Sequence, residues 1–403
     1  MNAPENRVMT DEPGNGFLPI DEFYTPEYYA LEKERIFKKC WLRVGTEKRI
    51  PNVGDYFVQE LEACDTSVIV VRGRDKRIRA FHNHCSHRGN RVAYEPAGNT
   101  NSFKCRFHSW AFGLDGRLLA LPEEPLFPNL DKSKHGLTEV ACDSWEGFIF
   151  VNVDPNPAQS LREYLGEEIY TGYGDFFQKF ERVGRFSTEM HANWKVCLDA
   201  FIETYHFSTV HAASAGDVIL SREFPNGRVD AFRQFSRHRT ASCTSNVEHV
   251  PTFAEGLARK YANSATLAPD PTKVMLRPPQ INPKNLPDWA TDILIIFPMA
   301  NIQPLQGFVG AQNYWPLAHD RTRWELEIYM LPPQSAADEV AIEYNRAHLR
   351  DLIREDLQNL AWIQGNLNAG SKHQHILGEM EVLIRAGYKT VAEQVGRGWP
   401  TRA

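Results

Sequence analysis

Residues 85–89 read CSHRG, and residues 105–110 read CRFHSW. Each segment supplies one cysteine and one histidine, and seventeen residues separate His87 from Cys105. Two thiolates and two imidazoles suit either a tetrahedral structural zinc or a [2Fe–2S] cluster with cysteines on one iron and histidines on the other. Counting ligands leaves both open. Zinc patterns commonly pair cysteine with cysteine and histidine with histidine, so one of each residue in each segment favours the cluster.

Short β-type runs surround these two segments from about Trp41 to Val153, separated by Gly, Pro and Asn. They predict a small all-β domain in which two loops, one from each hairpin, hold the metal site. Pro155, Asn156 and Pro157 form a natural break after it. The runs are DYFVQEL (55–61), SVIVVRGR (67–74), IRAFHN (78–83), NSFKCRF (101–107) and GFIFVNV (147–153), with GLDG (113–116) as a turn.

The pattern changes after this break. A helical pattern covers His191 to His211, and a long one runs from about Ala336 to Asn366. Between them lie the strand-like runs DILIIFPMANIQ (292–303), GAQNYWPL (310–317) and RWELEIYML (323–331). This region predicts an α+β domain with helices packed on an antiparallel sheet.

The composition excludes several classes of protein. With 42% hydrophobic and 24% charged residues, the 403-residue chain is typical of a globular protein with about two domains. Its net charge of −6 is mixed along the chain, without the basic, aromatic-rich segments of nucleic-acid binders. A secretory signal and a long apolar run are both lacking, so we expect a cytoplasmic location and no membrane contact.

The histidines and cysteines outside the two segments are interpreted as structural. His82 and His84 alternate along a predicted strand and point to one face of it. The seven cysteines are an odd number in a chain without a secretory signal, which argues against a disulfide framework. We expect five of them to be small buried residues without a metal, namely Cys40, Cys64, Cys142, Cys197 and Cys243.

A second cluster of polar residues lies in NWKVCLDAFIETYHFSTVH (193–211). The segment begins as a helix with one apolar stripe, and Asp199, Glu203 and His206 form another row at i, i+4 and i+7. Polar groups in a row on a partly buried helix are costly unless a metal or one another satisfies them. On a regular helix His206 and His211 would point about 140° apart. The helix must therefore end or distort if both histidines bind one ion.

A carboxylate would complete a facial triad for Fe(II), which leaves open positions for O₂ and substrate. In the long downstream helix, Leu349, Ile353, Asp356 and Leu360 share one stripe, so Asp356 stands where an apolar residue is expected. A carboxylate on a core face implies a partner. Glu355 is the competing choice, but it lies further from the centre of the stripe.

These motifs resemble those of Rieske-type ring-hydroxylating oxygenases, where Cys-x-His-Arg-Gly and Cys-x-x-His-x-Trp mark the Rieske domain. The Rieske motif, an Asn-Trp-Lys segment with two histidines and a late Glu-Asp pair follow in the family's order over nearly the whole chain. Ser109 replaces a frequent glycine, and Arg106 occupies a variable position. The ligands implied by the resemblance are Cys85, His87, Cys105 and His108 for a [2Fe–2S] cluster, and His206, His211 and Asp356 for a mononuclear iron.

Glu203 matches the acidic residue that, in the family, links a cluster histidine of one subunit, here His108, to an iron histidine of its neighbour, here His206. The resemblance implies that it orients both rings and carries the electron path. Many ring-hydroxylating members have Asp there, and Glu occurs in members that act on quaternary amines. The alternative is a charge on the helix surface. Asp199 either supports this site or pairs with Lys195.

The resemblance also implies the domains and the assembly. Residues 1–37 would pack with the catalytic domain, 38–157 would form the Rieske domain, and 158–403 would form a helix-grip catalytic domain holding the mononuclear iron. A homotrimer would place the cluster of one subunit beside the iron of the next. The resemblance is compatible with an assembly that contains a β subunit and with one that does not.

The implied activity is that of a terminal oxygenase. Such a component uses O₂ and electrons from a reductase or ferredoxin, ultimately from NAD(P)H, to hydroxylate an aromatic or related hydrophobic substrate. The alternatives are oxidative demethylation or hydroxylation of an amine or quaternary amine, an electron carrier with no substrate of its own, and a zinc-stabilised binding protein. Eight residues are candidates for the substrate walls, namely Phe201, Phe207, Val210, Ile296, Phe297, Met299, Asn301 and Phe308.

Overall fold

A computed structural model of the chain describes residues 16–20, 22–222, 227–261, 277–305 and 307–397. These residues form two compact units. One unit spans residues 33–164, and the other joins the described residues up to Glu32 with those from Leu165 onwards. None of the helices found in these ranges has the length and apolar character needed to span a bilayer.

The first elements are strand β1 and helix α1, followed by the strands of the 33–164 unit. Their bounds are β1 (Gly16–Pro19), α1 (Pro26–Glu32), β2 (Leu42–Thr46), β3 (Asp55–Leu61), β4 (Thr66–Arg72), β5 (Ile78–His82), β6 (Ala97–Asn99), β7 (Phe103–Lys104), β8 (Ala111–Phe112), β9 (Leu118–Ala120), β10 (Glu139–Trp145) and β11 (Phe148–Asn152).

The 33–164 unit is built on antiparallel sheets. Strands pair in the order β2-β11-β10-β5-β4-β3-β6 in the larger sheet and β7-β8-β9 in the smaller one. Each of the five predicted runs contains a strand, and the GLDG turn closes with Gly116 N donating to Gly113 O at 3.0 Å. The prediction of an all-β domain is confirmed. Its core includes Cys85 and Cys105 beside Phe81, so both cysteines start from buried positions.

The second unit combines one large sheet with several helices. The remaining elements are α2 (Leu161–Leu165) at the unit boundary, α3 (Glu167–Gly172), β12 (Glu181–Met190), α4 (Trp194–Asp199), α5 (Phe207–Val210), α6 (Gly216–Ile219), β13 (Val229–Phe235), β14 (His238–Thr244), α7 (Phe253–Tyr261), β15 (Trp289–Ile296), β16 (Ala300–Pro304), β17 (Phe308–Ala318), β18 (Arg321–Met330), α8 (Ala336–Asn368), β19 (Gln374–Leu377) and α9 (Val382–Gln394).

The large sheet is antiparallel, with strands in the order β12-β18-β17-β16-β15-β14-β13, and β1 pairs with β19. The run 292–303, which reads as one strand, instead forms β15 and β16 on either side of a turn at Phe297–Met299. The predicted α+β class is confirmed, because helices accompany an antiparallel sheet in this unit.

Helix α8 follows the predicted stripe. The Ser335 side chain accepts a hydrogen bond from Asp338 N and caps the first turn. Leu349, Ile353 and Asp356 are all buried along one face of the helix. The apolar face of α8 is buried, and Asp356 is buried on the same face.

Candidate functional site

Cys85 and Cys105 begin two turns with the same hydrogen-bond pattern. Gly89 N donates to Cys85 O at 2.9 Å, and Ser109 N donates to Cys105 O at 3.0 Å. Gly89 and Ser109 both have positive φ, at 77° and 59°. Glycine adopts this conformation at no steric cost, whereas for serine the conformation is strained. The repeated turn gives both cysteine–histidine segments a similar local shape.

The four predicted cluster residues lie together. The rings of His87 and His108 are 4.6 Å apart, and the His87 ring stacks on Trp110 at 4.8 Å. The thiols of Cys85 and Cys105 contact each other and are both buried. Burial raises the pKa of the Cys85 thiol. The structure thus brings two sulfur and two imidazole groups to one place.

Two observations test whether these residues fit a cluster. The Nδ1 atom of His87 is buried and has no hydrogen-bond partner among the described residues. Leaving it unsatisfied is costly, and a metal ligated by this nitrogen would remove the cost. Burial tends to raise the pKa of Cys105, but backbone N–H groups of Phe107 and His108 and the Asn90 amide lower it overall. These donors favour the thiolate that an iron–sulfur cluster requires.

The other histidines near this loop are engaged elsewhere. His82 and His84 stack on each other at 5.4 Å, and His82 Nδ1 lies 2.8 Å from Thr66 Oγ1. All seven cysteines are free of disulfides. Of the five expected to be buried, Cys142 alone is only partly buried.

The Asn-Trp-Lys segment is held by contacts that its sequence alone does not reveal. The Asn193 side chain accepts a hydrogen bond from Lys195 N and so caps α4. Trp194 Nε1 donates to Glu32 Oε2 at 3.0 Å, and Lys195 Nζ lies 2.5 Å from Glu32 Oε1. Lys195 therefore pairs with Glu32, and the expected alternative of a Lys195–Asp199 ion pair is wrong. Asp199 instead accepts from the Tyr388 hydroxyl at 2.9 Å.

The segment from 193 to 211 is not one continuous helix. α4 ends at Asp199, and the next helical turn begins at Phe207. Between them the Glu203 carboxylate accepts the backbone N–H groups of Tyr205 and His206, and it also bonds to His206 Nδ1. A side-chain acceptor of this kind competes with the helical backbone and favours a helix start. The break allows both histidines to face one point.

His206, His211 and Asp356 converge there. The Nε2 atoms of the two histidines are 3.2 Å apart, and Asp356 Oδ1 lies 3.2 Å from His206 Nε2 and 3.0 Å from His211 Nε2. One ligand atom from each residue lies within 4.8 Å of the others. Two imidazoles and one carboxylate are the donor set of non-haem Fe(II) sites, so these residues fit the implied metal.

Glu355 and Asp356 approach His211 from opposite sides. Glu355 Oε2 accepts from His211 Nδ1 at 2.8 Å and from Ser214 Oγ at 2.6 Å. Asp356 faces the Nε2 atom of the same ring. Burial lowers the pKa of His206, but its hydrogen bonds with Asp356 and Glu203 outweigh burial and raise the pKa to about 9. Three carboxylates, those of Glu203, Glu355 and Asp356, thus contact the two histidine rings.

Two cavities meet at this triad. The sheet-side cavity, with about 980 Å³ of empty space counted to its open mouth, is lined by residues such as Phe201, Phe207, Phe308 and Leu326. The helix-side cavity, of about 1160 Å³ counted the same way, is lined by residues such as Leu360, His375 and Glu381. All three triad residues line the sheet-side cavity, and two of them, His206 and Asp356, also line the helix-side cavity.

Four of the eight residues predicted to form the substrate walls line one of these cavities. Phe201, Phe207 and Phe308 line the sheet-side cavity, and Val210 lines the helix-side cavity. The other four candidates do not line either cavity; they are Ile296, Phe297, Met299 and Asn301. Sequence reasoning overlooked Gln303 and Gln312, which both line the sheet-side cavity; each lies in a predicted strand run that also contains an asparagine.

Comparison with known proteins identifies the family. A family model described as "Ring hydroxylating alpha subunit (catalytic domain)" matches residues 177–397, and one described as "Rieske [2Fe-2S] domain" matches residues 40–131. The chain belongs to the ring-hydroxylating alpha-subunit family. The resemblance inferred from the motifs is confirmed. The predicted cluster residues Cys85, His87, Cys105 and His108 lie within the range that matches the Rieske [2Fe–2S] domain. The triad of His206, His211 and Asp356 lies within the range that matches the catalytic domain.

Curated relatives of this alpha subunit differ in substrate. The carnitine monooxygenase oxygenase subunit of Escherichia coli strain K12 is 34% identical over 223 residues, covering 54% of this chain and 58% of that protein. The biphenyl 2,3-dioxygenase subunit alpha of Rhodococcus jostii RHA1 is 35% identical over 195 residues, covering 46% and 41%. The match thus spans 58% of the first relative's length and 41% of the second's.

Solved structures share the fold over almost the whole chain. A quaternary ammonium Rieske monooxygenase in complex with an inhibitor superposes with a TM-score of 0.74 at 22% identity, covering 98% of this chain and 99% of that one. Naphthalene 1,2-dioxygenase from Rhodococcus sp., bound to indole, gives 0.71 at 20% identity, covering 94% of each. At these identities the likeness establishes the fold.

Proposed function

We propose that this chain is the terminal oxygenase component of a Rieske system that hydroxylates an aromatic or related hydrophobic substrate. O₂ would be the oxidant, and a reductase or ferredoxin would deliver electrons that come ultimately from NAD(P)H. The observation that carries the proposal is the convergence of His206, His211 and Asp356 on the wall of a largely apolar cavity. A cavity of that kind suits an apolar substrate held beside a metal.

Each proposed ligand has a distinct task. Cys85, His87, Cys105 and His108 would hold the [2Fe–2S] cluster, and His206, His211 and Asp356 would hold the iron. The cluster supplies electrons one at a time, and the iron supplies a site where O₂ is reduced. The chain's own residues orient the ligands: Glu203 fixes the His206 ring through Nδ1, and Glu355 fixes the His211 ring in the same way.

A ring of three subunits is part of the proposal. In it His108 of one subunit and His206 of the next would be linked through Glu203, as the family resemblance implies. The hydrogen bond between Glu203 and His206 Nδ1 supports the half of this link that lies within one subunit. Mass measurement in solution tests the stoichiometry, and the trimer is wrong if the active species is a monomer.

Oxidation of a quaternary amine is the second candidate. It is favoured by Glu203 in place of Asp and by the similarity to the carnitine monooxygenase oxygenase subunit. Turnover with a panel of carnitine, betaine and arene substrates separates the two candidates. Oxygen uptake that is coupled to arene hydroxylation supports the first, and formaldehyde or aldehyde release from a quaternary amine supports the second.

Metal analysis tests the cofactors before any substrate is known. Anaerobically purified protein should contain about three irons and about two acid-labile sulfides per chain, with a Rieske-type paramagnetic signal after reduction by dithionite. Zinc without sulfide would refute the proposal.

The variant His206→Ala separates an oxygenase from an electron carrier. We expect it to retain the cluster signal and sulfide but to lose the third iron and all product formation. Lys48→Ala, a change in the other unit, is the control for iron and sulfide that are lost during purification. Unchanged substrate turnover in His206→Ala would exclude the proposed iron site.

A further inference from the structure

Away from the metal centre, the described residues that line the sheet-side cavity carry no charged side chain. Apart from Glu203 and the triad residues, its described lining consists of apolar side chains and a few neutral polar ones. Thr291 is already satisfied, since its hydroxyl bonds to backbone carbonyls of Asp292 and Pro304. The remaining polar groups therefore decide what the cavity recognises.

Gln312 presents an amide nitrogen to this cavity. Its Oε1 atom accepts from the Tyr314 hydroxyl and from Trp324 Nε1, each at 2.8 Å. An indole N–H can only donate, so the oxygen of Gln312 must face Trp324 and the orientation of the amide is fixed. Its Nε2 atom makes no hydrogen bond to any residue that the structure describes. A hydrogen-bond donor is left for a ligand.

Gln303 presents the opposite group. Its Nε2 atom donates to the backbone carbonyl of Phe201 at 3.0 Å. A carbonyl can only accept, so the Oε1 atom of Gln303 is left as an acceptor. This oxygen lies 4.0 Å from the point where a Cβ atom on Gly310 would stand. Because Gly310 has no side chain, the space beside the oxygen stays open.

The two amides are neighbours on one face of the sheet. β16 and β17 pair Gln303 with Gly310 and Asn301 with Gln312, so the glutamines are diagonal partners roughly 7–8 Å apart. Thr204, which also lines the cavity, adds a buried hydroxyl with no partner among the described residues. Leaving the buried Thr204 hydroxyl unpaired is costly, which favours a ligand with polar groups in this part of the cavity.

Building on the proposed oxygenase function, we infer that the substrate is a neutral aromatic or alicyclic compound with a carboxamide-like group, whose carbonyl accepts from Gln312 Nε2 and whose N–H donates to Gln303 Oε1. A carboxylate has no N–H for Gln303 and meets no Lys or Arg in the described lining. A quaternary ammonium neither donates nor accepts a hydrogen bond. An amide, lactam or similar group satisfies both glutamines at once.

Binding to the iron-replete protein without oxygen tests this inference directly. Isothermal titration calorimetry compares 1-naphthamide with 1-acetylnaphthalene, in which a methyl group replaces the amide nitrogen, and with L-carnitine. We expect 1-naphthamide to bind roughly 3- to 10-fold more tightly than 1-acetylnaphthalene, the effect of one hydrogen bond, and carnitine not to bind. Equal affinity for the two naphthalenes, or preferential binding of carnitine, would overturn the inference.

Variants assign the effect to the two amides. Gln303→Met should abolish the preference for 1-naphthamide over 1-acetylnaphthalene, whereas Gln312→Met should weaken both compounds by a similar factor. Gln234→Met, at an exposed position of β13 outside the cavity, is the matched control and should change neither affinity. A preference that survives in Gln303→Met contradicts the assigned role, and circular dichroism of each variant verifies folding.

The outcome is separable from that of the proposed function. If 1-naphthamide shows the glutamine-dependent preference but no compound supports oxygen uptake with an electron donor, the oxygenase proposal fails and the binding inference stands. If arenes are hydroxylated without any amide preference, the inference fails alone.

Discussion

His211 and Glu355 are joined by a hydrogen bond of 2.8 Å between Nδ1 and Oε2. Asp356, the next residue in the chain, lies 3.0 Å from the Nε2 atom of the same ring. Adjacent acids on α8 therefore contact opposite nitrogens of one imidazole. Only the Nε2 side also meets His206, so the two carboxylates have different tasks.

Exchanging each carboxylate separately should reveal that difference. We expect Asp356→Asn to lose the mononuclear iron, because it removes a proposed ligand. Glu355→Gln should keep the iron with an affinity lowered by about 10- to 100-fold, since it only weakens the hold on the His211 ring. Iron titration checks both variants, with acid-labile sulfide as the internal control. Retention of iron in Asp356→Asn and its loss in Glu355→Gln would reverse the assignment.

A second prediction concerns Glu203. Glu203→Gln keeps one of the two oxygens that accept hydrogen bonds, one from the backbone N–H groups of Tyr205 and His206 and the other from the His206 ring. The proposed metal ligands themselves are unchanged, so both metal centres should stay loaded. The charge is lost, and we expect turnover to fall by about 10- to 100-fold or more. Stopped-flow oxidation of the reduced cluster measures the step concerned. Glu203→Asp is the matched variant that retains the charge, and full activity of Glu203→Gln would defeat the linking role.

The parts of the site that could be predicted from the sequence are those that depend on residues close together in the chain. The stripe on α8 selects Asp356 over Glu355, because a helix of known period fixes which residues turn inward. The cysteine–histidine spacing similarly indicates a shared metal site in two loops. In both cases neighbours within a few residues determine the geometry, and the motifs carry that information.

Long-range contacts account for what the sequence does not reveal. Glu32 contacts Lys195 across 163 positions of the chain, and no local pattern marks it as a partner. The break after Asp199 depends on how the Glu203 carboxylate binds the backbone beyond it. Gln303 and Gln312 become neighbours only through the register of β16 and β17. Sheet order and register are global properties, so these relationships require the structure.

The pH dependence of stability should reflect Asp199. Burial raises the pKa of this carboxyl to about 7, although it retains a hydrogen bond from Tyr388 and is near Arg239 and Lys195. A raised pKa means that the folded state binds the proton more tightly than the unfolded state, so stability falls as pH rises from about 4 to 7. Asp199→Asn removes this loss. Its stabilisation should be about 2 kcal/mol larger at pH 8 than at pH 5.5.

Urea unfolding at the two pH values measures this difference. The variant Asp143→Asn, at an exposed position of β10, controls for a general change in net charge. An Asp199→Asn gain that is independent of pH would show that the carboxyl does not titrate in this range.

The turns around the cluster give a reciprocal pair of predictions. Ser109 has φ of 59°, a conformation in which a side chain costs roughly 1 kcal/mol, so Ser109→Gly should stabilise the protein by up to about 1 kcal/mol. Gly89→Ser should destabilise it by a similar amount, since φ of 77° strains any residue with a side chain. Thermal unfolding of the cluster-loaded protein, with sulfide content measured alongside, checks both signs.

The ion pair between Lys195 and Glu32 offers a test of how the N-terminal helix is held to α4. Burial raises the pKa of Glu32 and lowers that of Lys195, so each depends on the other to stay charged. Lys195→Met leaves a carboxylate that is 0% exposed without its counter-ion and should cost about 3–5 kcal/mol of unfolding free energy. Adding Glu32→Gln removes the stranded charge, so the double variant should recover most of that loss. Denaturant unfolding of all four members of the cycle measures the coupling, and additive effects would show that the pair does not stabilise this contact.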